Sequence, residues 1–119
     1  MFGLGERESA IMDVLWTAER PMKVREVLDS LEGRRLAYTT VMTILDNLHR
    51  KEWVQRAMGG LAYRYVPAFS REEAAARALR QVLQASGDPD GALLYFAESA
   101  TDRESELLRA ALGKKQRRS

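Results

Sequence analysis

Several short polar side chains in the segment 36–52 have the chemistry and the spacing to read the edges of DNA bases. In an α-helix, which turns about 100° per residue, Thr40, Thr43 and Asn47 fall within about 60° of one another. Threonine methyls match the thymine methyl group, and hydroxyl and amide groups pair with base donors and acceptors. We therefore expect these three residues to contact bases in a major groove. The residues expected to contact phosphates beside them are Thr39, Arg50 and Lys51.

The alternative for this segment is a merely exposed helix, and its threonines argue against that interpretation. Solvated helices usually carry Glu, Lys or Gln, because β-branched side chains lower helix propensity. The opposite face carries a narrow apolar stripe made by Val41, Ile44, Leu45 and Leu48. Such a stripe is typical of a helix that packs on a core with one face and presents the other.

Two shorter amphipathic helices are predicted upstream, and they would position the polar helix. Apolar residues recur at helical spacing over 11–18 and again over 24–31. Between them, the sequence Glu19-Arg20-Pro21 contains a proline, which stops helix propagation. The order of elements therefore begins with three helices.

A β-hairpin is predicted after the polar helix. Two alternating runs, 53–58 and 61–66, are joined by Gly59-Gly60, and a tight turn needs the positive φ that glycine adopts. Alternation places Tyr63 and Tyr65 on one face, where one tyrosine is expected to pack in the core. Three helices followed by a hairpin is the order of a winged helix-turn-helix, in which the hairpin, or wing, rests on the DNA backbone. The phosphate contacts expected from the wing are Arg56, Tyr63 and Arg64.

Four pieces of the sequence, in this order and spacing, resemble the penicillinase-repressor (BlaI/MecI/CopY) family of bacterial transcriptional regulators. They are 8–16, 24–27, 37–43 and 62–65, and the resemblance extends over roughly 4–112. It implies a homodimeric repressor that binds a palindromic operator through a winged helix and dimerises through C-terminal helices. Such repressors control β-lactamase, penicillin-binding-protein or copper-transport genes.

The resemblance also adds Met42 to the residues expected at base edges. Together with Thr40 and Thr43, it occupies a position where family members contact the major groove. Some members carry arginine at the position of Met42, so this chain departs from their pattern there.

Three more helices are predicted in the C-terminal half, with start signals at Ser70, Asp88 and Thr101. Three short helices cannot bury a sizeable core alone, so their apolar faces need either the winged helix or a second copy of the chain. The resemblance favours a dimer. The residues expected at the dimer interface are Leu79, Val82, Leu83, Leu93, Leu94, Phe96, Leu107, Leu108 and Leu112.

By resemblance only, the same region contains a possible proteolytic site. In β-lactam-responsive members, a membrane-bound sensor protease cuts between an asparagine and a phenylalanine. The pattern places that bond between Tyr95 and Phe96, where the asparagine is absent. The alternative is that Leu94 and Phe96 are simply dimer-core side chains, and both interpretations can hold together.

These observations predict a mainly α fold with a small β-hairpin. We expect a winged helix-turn-helix domain over 1–68, a three-helix dimerisation region over 69–113, and a disordered basic tail over 114–119. Segment 34–64 contains six basic and two acidic residues, whereas 67–113 contains five basic and eight acidic ones. The charge distribution therefore suits one half that faces DNA and one that does not.

Composition argues against several other classes of protein. The 119 residues include no cysteine and one histidine, so we expect no metal site and no cofactor. No glycine-rich phosphate loop or catalytic carboxylate pair is present, which argues against an enzyme. No apolar run could span a bilayer and no signal peptide is evident, so a cytoplasmic location without membrane insertion is expected. A winged-helix protein-interaction module and a non-specific DNA-binding protein remain as alternatives.

Overall fold

The computed structural model describes residues 2–31 and 35–118, which form helices and one two-stranded antiparallel sheet. Arg34, which belongs to the predicted basic segment, lies outside the described residues, as do the terminal residues Met1 and Ser119. The elements, in chain order, are α1 (Glu6–Ala18), α2 (Val24–Ser30), α3 (Tyr38–Arg50), β1 (Val54–Gly59), β2 (Ala62–Pro67), α4 (Arg71–Ala85), α5 (Pro89–Glu98) and α6 (Asp102–Arg118). The predicted class, mainly α with a small hairpin, is confirmed.

The chain divides into two compact units, Met1–Ala78 and Leu79–Ser119. The first unit has one apolar core, to which α1, α2, α3 and both strands contribute. Its fully or nearly fully buried side chains are Ile11, Met12, Leu15, Met22, Val24, Val27, Leu31, Val41, Leu45, Leu48, Val54 and Tyr65. The apolar stripe predicted for α3 thus faces this core, which leaves the polar face of α3 outside.

Strand β2 is held to the link between α1 and α2 as well as to β1. Met22 and Tyr65 exchange two backbone hydrogen bonds, of 3.0 Å from the Met22 N–H and 2.8 Å from the Tyr65 N–H. The Tyr65 side chain is buried beneath this bridge. Of the two tyrosines predicted to share a face, Tyr65 is therefore the one that packs in the core.

The hairpin turn lies one residue further along the chain than the sequence predicted. Gly59 pairs with Ala62 at the end of the ladder, so the turn residues are Gly60 and Leu61 rather than Gly59 and Gly60. Gly60 has φ +71°, the left-handed conformation that a tight hairpin turn requires. Leu61 is consequently fully exposed at the tip of the wing.

The first unit extends past the predicted boundary at residue 68, because the first turns of α4 pack on it. The indole Nε1 of Trp16 donates to the carbonyl of Phe69 at 2.9 Å, and Arg71 forms an ion pair of 2.7 Å with Asp13. Ala74 is buried, and the guanidinium of Arg77 lies 4.1 Å from the centre of the Phe69 ring. These contacts fix the start of α4 to the first unit.

In the second unit, local signals define the helices. Asp88 accepts a hydrogen bond from the Gly91 N–H at 3.0 Å, and Pro89 begins α5. Thr101 and Glu104 form a reciprocal capping box at the start of α6, with bonds of 2.8 and 3.1 Å. No residue among the described part of this unit, 79–118, is buried.

The prediction that α6 ends at Gly113 and gives way to a disordered tail is wrong. Helix α6 continues to Arg118, and Gly113 lies inside it. A glycine inside a helix costs only about 1 kcal/mol relative to alanine, so one glycine need not end a helix. The last turn carries Lys115, Arg117 and Arg118, whose charges interact favourably with the negative end of the helix dipole.

Candidate nucleic-acid interface

Helix α3 presents its polar face to solvent, as the sequence predicted. Thr39, Met42 and Thr43 are exposed, and Thr40 and Asn47 are partly exposed. The residue before the helix, Ala37, has no side chain able to cap it, so packing of the stripe holds α3 in place. Three of the four candidate base-contacting residues, Thr40, Thr43 and Asn47, therefore share one face of α3, whereas Met42 is exposed about 100° from Thr43 around the helix.

Two of the polar groups on α3 are already engaged within the helix. The Thr43 hydroxyl donates to the Thr39 carbonyl at 2.9 Å, which leaves its oxygen lone pairs and its methyl group for a ligand. The Arg50 guanidinium donates to the amide oxygen of Asn47. This contact leaves the amide NH₂ of Asn47 as a donor and orients the Arg50 side chain along the exposed face.

Lys51, at the C-terminal end of α3, reaches back to α1. Its Nζ donates to the two carboxylate oxygens of Glu8 at 2.8 and 3.1 Å. Burial tends to raise the pKa of Glu8, but hydrogen bonds from Lys51 and from the Gly5 N–H outweigh it, so the pKa of Glu8 lies below its ordinary value. Lys51 is therefore an ion-pair partner in the described structure.

On the wing, alternation places Tyr63 and Arg64 on opposite faces. Arg64 pairs with Ala57 across the strands, and its side chain passes over Gly59. A Cβ at Gly59 would lie 2.5 Å from the Arg64 Nε, so glycine permits this course of the arginine. Arg64 and Tyr63 are both exposed, so both remain accessible for phosphate contacts.

Arg56, the third candidate on the wing, is held by protein groups instead. Its Nη1 lies 2.8 Å from Oδ1 of Asp46 on α3, and its guanidinium lies 4.2 Å from the centre of the Tyr63 ring. A hydrogen bond with the Tyr65 side chain is the largest cause of a raised pKa at Arg56. Burial raises the pKa of Tyr65, so its hydroxyl stays protonated and neutral.

The structure adds three residues to this surface that the sequence analysis did not identify: Lys23, Arg25 and Tyr38. They line an open groove of about 460 Å³ between α3 and the hairpin, together with Met42 and Met58. The Arg25 guanidinium lies 5.4 Å from the centre of the Tyr38 ring. Lysine and arginine at the start of α2 were a signal for this, since the first helix of a helix-turn-helix crosses the DNA backbone.

In the second unit, the residues expected at a dimer interface are largely solvent-exposed in the single chain. Val82 and Leu94 are 68% and 65% exposed, and only Leu83 among the candidate residues is partly buried. Tyr95 and Phe96, which flank the possible cleavage bond, lie in α5 and are 77% and 50% exposed. Monomeric proteins rarely leave so many large apolar side chains together at the surface.

Comparison with known proteins identifies the family. A family model described as "Penicillinase repressor" matches residues 4–114. The chain belongs to this family. A penicillinase repressor relative, the transcriptional regulator BlaI of Mycobacterium tuberculosis (strain CDC 1551 / Oshkosh), is 41% identical over 113 residues, which cover 92% of this chain and 82% of the relative.

Solved structures of lower identity share the winged-helix fold of this chain. A possible transcriptional regulator from Methanosarcina mazei Go1 matches with a TM-score of 0.58 at 22% identity, covering 82% of each chain. MepR, a transcription regulator of the Staphylococcus aureus multidrug efflux pump MepA, matches with a TM-score of 0.53 at 15% identity. That match covers 97% of this chain and 79% of MepR.

The protein is thus a DNA-binding transcriptional repressor of the BlaI type and not an enzyme. Among residues 2–31 and 35–118, no group of His, Cys, Asp and Glu side chains could hold a metal ion. Nor does any helix in the described part of the chain have the length and apolarity to cross a membrane.

Proposed function

We propose that this protein is a homodimeric repressor that reads a palindromic operator and blocks transcription by occupying it. The observation that carries the proposal is the outward polar face of α3, where Thr40, Thr43 and Asn47 lie together. Short hydroxyl and amide side chains at this position suit base edges, and the apolar face beneath keeps the helix rigid. Such a repressor works where chromosomal DNA lies, in the cytoplasm.

Base contacts and phosphate contacts divide along the surface. We assign base edges to Thr40, Met42, Thr43 and Asn47, with Met42 offering apolar contact to a thymine methyl. Phosphate contacts come from the flanks of this set, where Lys51 joins only by exchanging Glu8 for a phosphate. The residues assigned to phosphates are Thr39, Arg50, Lys51, Tyr63 and Arg64.

Dimerisation follows from the exposed apolar side chains of the second unit. Val82, Leu94 and Phe96 are each at least half exposed in the single chain, and a second copy would cover them. A two-fold axis between two chains would present two copies of α3 to a two-fold symmetric operator, with half-sites separated by about one helical turn or a multiple of it.

Release from the operator is assigned to cleavage between Tyr95 and Phe96 by a membrane-bound sensor protease. The bond lies in α5, among the side chains assigned to the dimer interface, so cutting it would weaken paired binding. Substituting Phe96 would alter both the bond and the interface, whereas Tyr95, 77% exposed, is the better position to test cleavage alone. Tyr95→Asp changes the residue before the bond without introducing a helix breaker, and it should block cleavage if the assignment is right.

The test is selection of bound duplexes from a random DNA library, followed by affinity measurements on the selected duplex at about 150 mM salt. Thr40→Ala with Thr43→Ala should weaken binding by about 1–3 kcal/mol for each base interaction that the substitutions remove. The matched control is Thr17→Ala, which removes an exposed threonine from α1. Fluorescence anisotropy gives the affinity, and circular dichroism verifies the fold.

Each outcome of this selection distinguishes one function from another. A two-fold symmetric motif supports a dimeric sequence reader, and a folded double variant with full affinity would refute the assigned base contacts. Binding without any motif would indicate a non-specific DNA-binding protein. Failure to bind any duplex at low salt would favour a protein-interaction module.

A further inference from the structure

Helix α3 contains a single acidic residue, Asp46, and it lies on the exposed half of the helix. Counting about 100° per residue, it lies about 60° from Thr43, on the side of Met42. A carboxylate on a surface that faces phosphates repels them, so its presence there needs a reason. In the structure, its Oδ1 is paired with Nη1 of Arg56 at 2.8 Å.

Arg56 is held from three directions. Asp46 holds it from α3, and the ring of Tyr63 lies against its guanidinium at 4.2 Å from β2. The side chain of Tyr65 also interacts with Arg56 and raises its pKa, and the backbone of Tyr65 is itself bonded to Met22. The Arg56 side chain is only 24% exposed, so little of it is accessible to a phosphate.

We propose that Asp46 and Arg56 are positioning residues that fix the wing against α3, and that neither touches DNA. This inference rests on the proposed function above. An isolated two-stranded hairpin is marginally stable in water, so it needs tertiary contacts to hold one orientation. The orientation sets the distance between Arg64 on the wing and the base-contacting side chains on α3, and hence how well both fit one operator. The same interaction cancels the charge of Asp46 at the DNA-facing surface.

The two possible roles of this pair predict opposite signs for one substitution. If Asp46 only repels phosphates, Asp46→Ala should strengthen operator binding. If Asp46 positions the wing, the same substitution should weaken binding although it removes a negative charge. An exposed ion pair changes an equilibrium constant by at most about fivefold, so the expected weakening is about three- to fivefold.

Salt dependence separates positioning from phosphate contact at Arg56. The slope of log affinity against log salt falls by about 0.9 for each phosphate contact removed. Arg56→Ala should weaken binding by about tenfold, since it also removes the Tyr63 interaction, yet lower the slope by clearly less than one phosphate contact, because only the uncovered charge of Asp46 acts on the DNA. Arg64→Ala, on the opposite face of the wing, is the comparison variant and should lower the slope by about one contact.

The experiment titrates the selected duplex with the full chain, the Asp46→Ala and Arg56→Ala variants and their double variant, at several salt concentrations. The double variant should bind no more weakly than Arg56→Ala, because both changes break one interaction. Asp29→Ala, which removes the same charge from an exposed site on α2, is the matched control and should bind at least as well as the wild type. Tighter binding by Asp46→Ala, or a slope reduced as much in Arg56→Ala as in Arg64→Ala, would overturn the proposal.

A second measurement decides the structural half of the proposal without DNA. Amide hydrogen exchange in the free protein should be faster in β1 and β2 of Asp46→Ala, and unchanged in α6. Unchanged exchange in the hairpin would overturn the proposal even if the wild type binds its operator. If the wild type binds no duplex, the proposed function fails, and the exchange measurement still decides whether the pair holds the wing.

Discussion

The two units of the chain use their apolar residues in opposite ways. In the first unit, apolar side chains from three helices and the hairpin meet in one core, and Leu45 at its centre is fully buried. In the second, Val82, Leu94 and Leu112 are each more than half exposed. The first unit therefore carries its own stability, whereas the helices of the second are defined by their capping signals and need further burial.

This difference bears on the proposed function, in which sequence reading and pairing are separated along the chain. The surface of α3 is fixed by a core that forms within one chain. The apolar surface of α4, α5 and α6 has the character of half an interface, since obligate interfaces resemble a domain core cut in two. If the second unit pairs as proposed, a signal that acts on it would change operator occupancy without unfolding the unit that reads DNA.

The largest expected effect comes from comparing the same substitution in the two units. Leu45→Ala should lower the free energy of unfolding by about 2–5 kcal/mol, because it leaves a cavity in the core under α3. Leu94→Ala removes an equally large side chain that is 65% exposed. Its effect on a dissociated chain should stay within about 0.5 kcal/mol. Urea denaturation followed by tryptophan fluorescence reports the first unit, where Trp16 and Trp53 lie, and circular dichroism in the same titration reports the helices of both units.

Measuring the stability of both variants at several protein concentrations extends this first comparison. The effect of Leu45→Ala should be nearly independent of concentration, whereas Leu94→Ala should destabilise the protein only at concentrations where the wild type is paired. Equal effects of the two substitutions at high dilution would show that the second unit has a core of its own.

A smaller effect is expected from charge placed on the apolar side of α4. Val82→Glu should raise the dimer dissociation constant at least tenfold, equivalent to about 1.4 kcal/mol, because a carboxylate would be buried between copies. Gln81→Glu adds the same charge on the opposite side of the helix and should leave association unchanged. Sedimentation velocity at tens of micromolar distinguishes the two. A wild-type chain that sediments as a monomer there would refute the dimer.

Much of the fold was predictable because its signals are local. The helical periodicity around Leu45, the proline after α1, and the caps at Asp88 and Thr101 each act within a few residues, and the elements form where they predict. Local signals failed where two of them compete. Gly113 was a stop signal, but the basic last turn and a continuous helix proved more favourable.

The candidate site was predictable as a surface and not as a set of contacts. The polar face of α3 follows from helix geometry alone, so Thr40 and Asn47 could be placed beside each other. The partners of Lys51 and Arg56 could not be found this way, because Glu8 is 43 residues away from one and Asp46 is on a different element from the other. Only tertiary packing decides which cations face DNA and which face carboxylates.

The smallest effect expected is the pH dependence of the ion pair that joins α1 to the end of α3. The folded pKa of Glu8 lies below its ordinary value, so the pair stabilises the protein above about pH 4.5. That contribution is lost as the pH falls through the folded pKa. Glu8→Gln keeps an acceptor for the Gly5 N–H and removes only the charge. It should cost a few tenths to about 1 kcal/mol at pH 7 and less than that at pH 3. Urea denaturation at both pH values measures this difference.

Lys51→Met should show the same loss at pH 7, and the double variant should add little to it. A difference in unfolding free energy between Glu8→Gln and wild type that is the same at both pH values would show that the side chain's shape, and not its charge, causes the loss. The ion pair would then not contribute to holding α3 against α1.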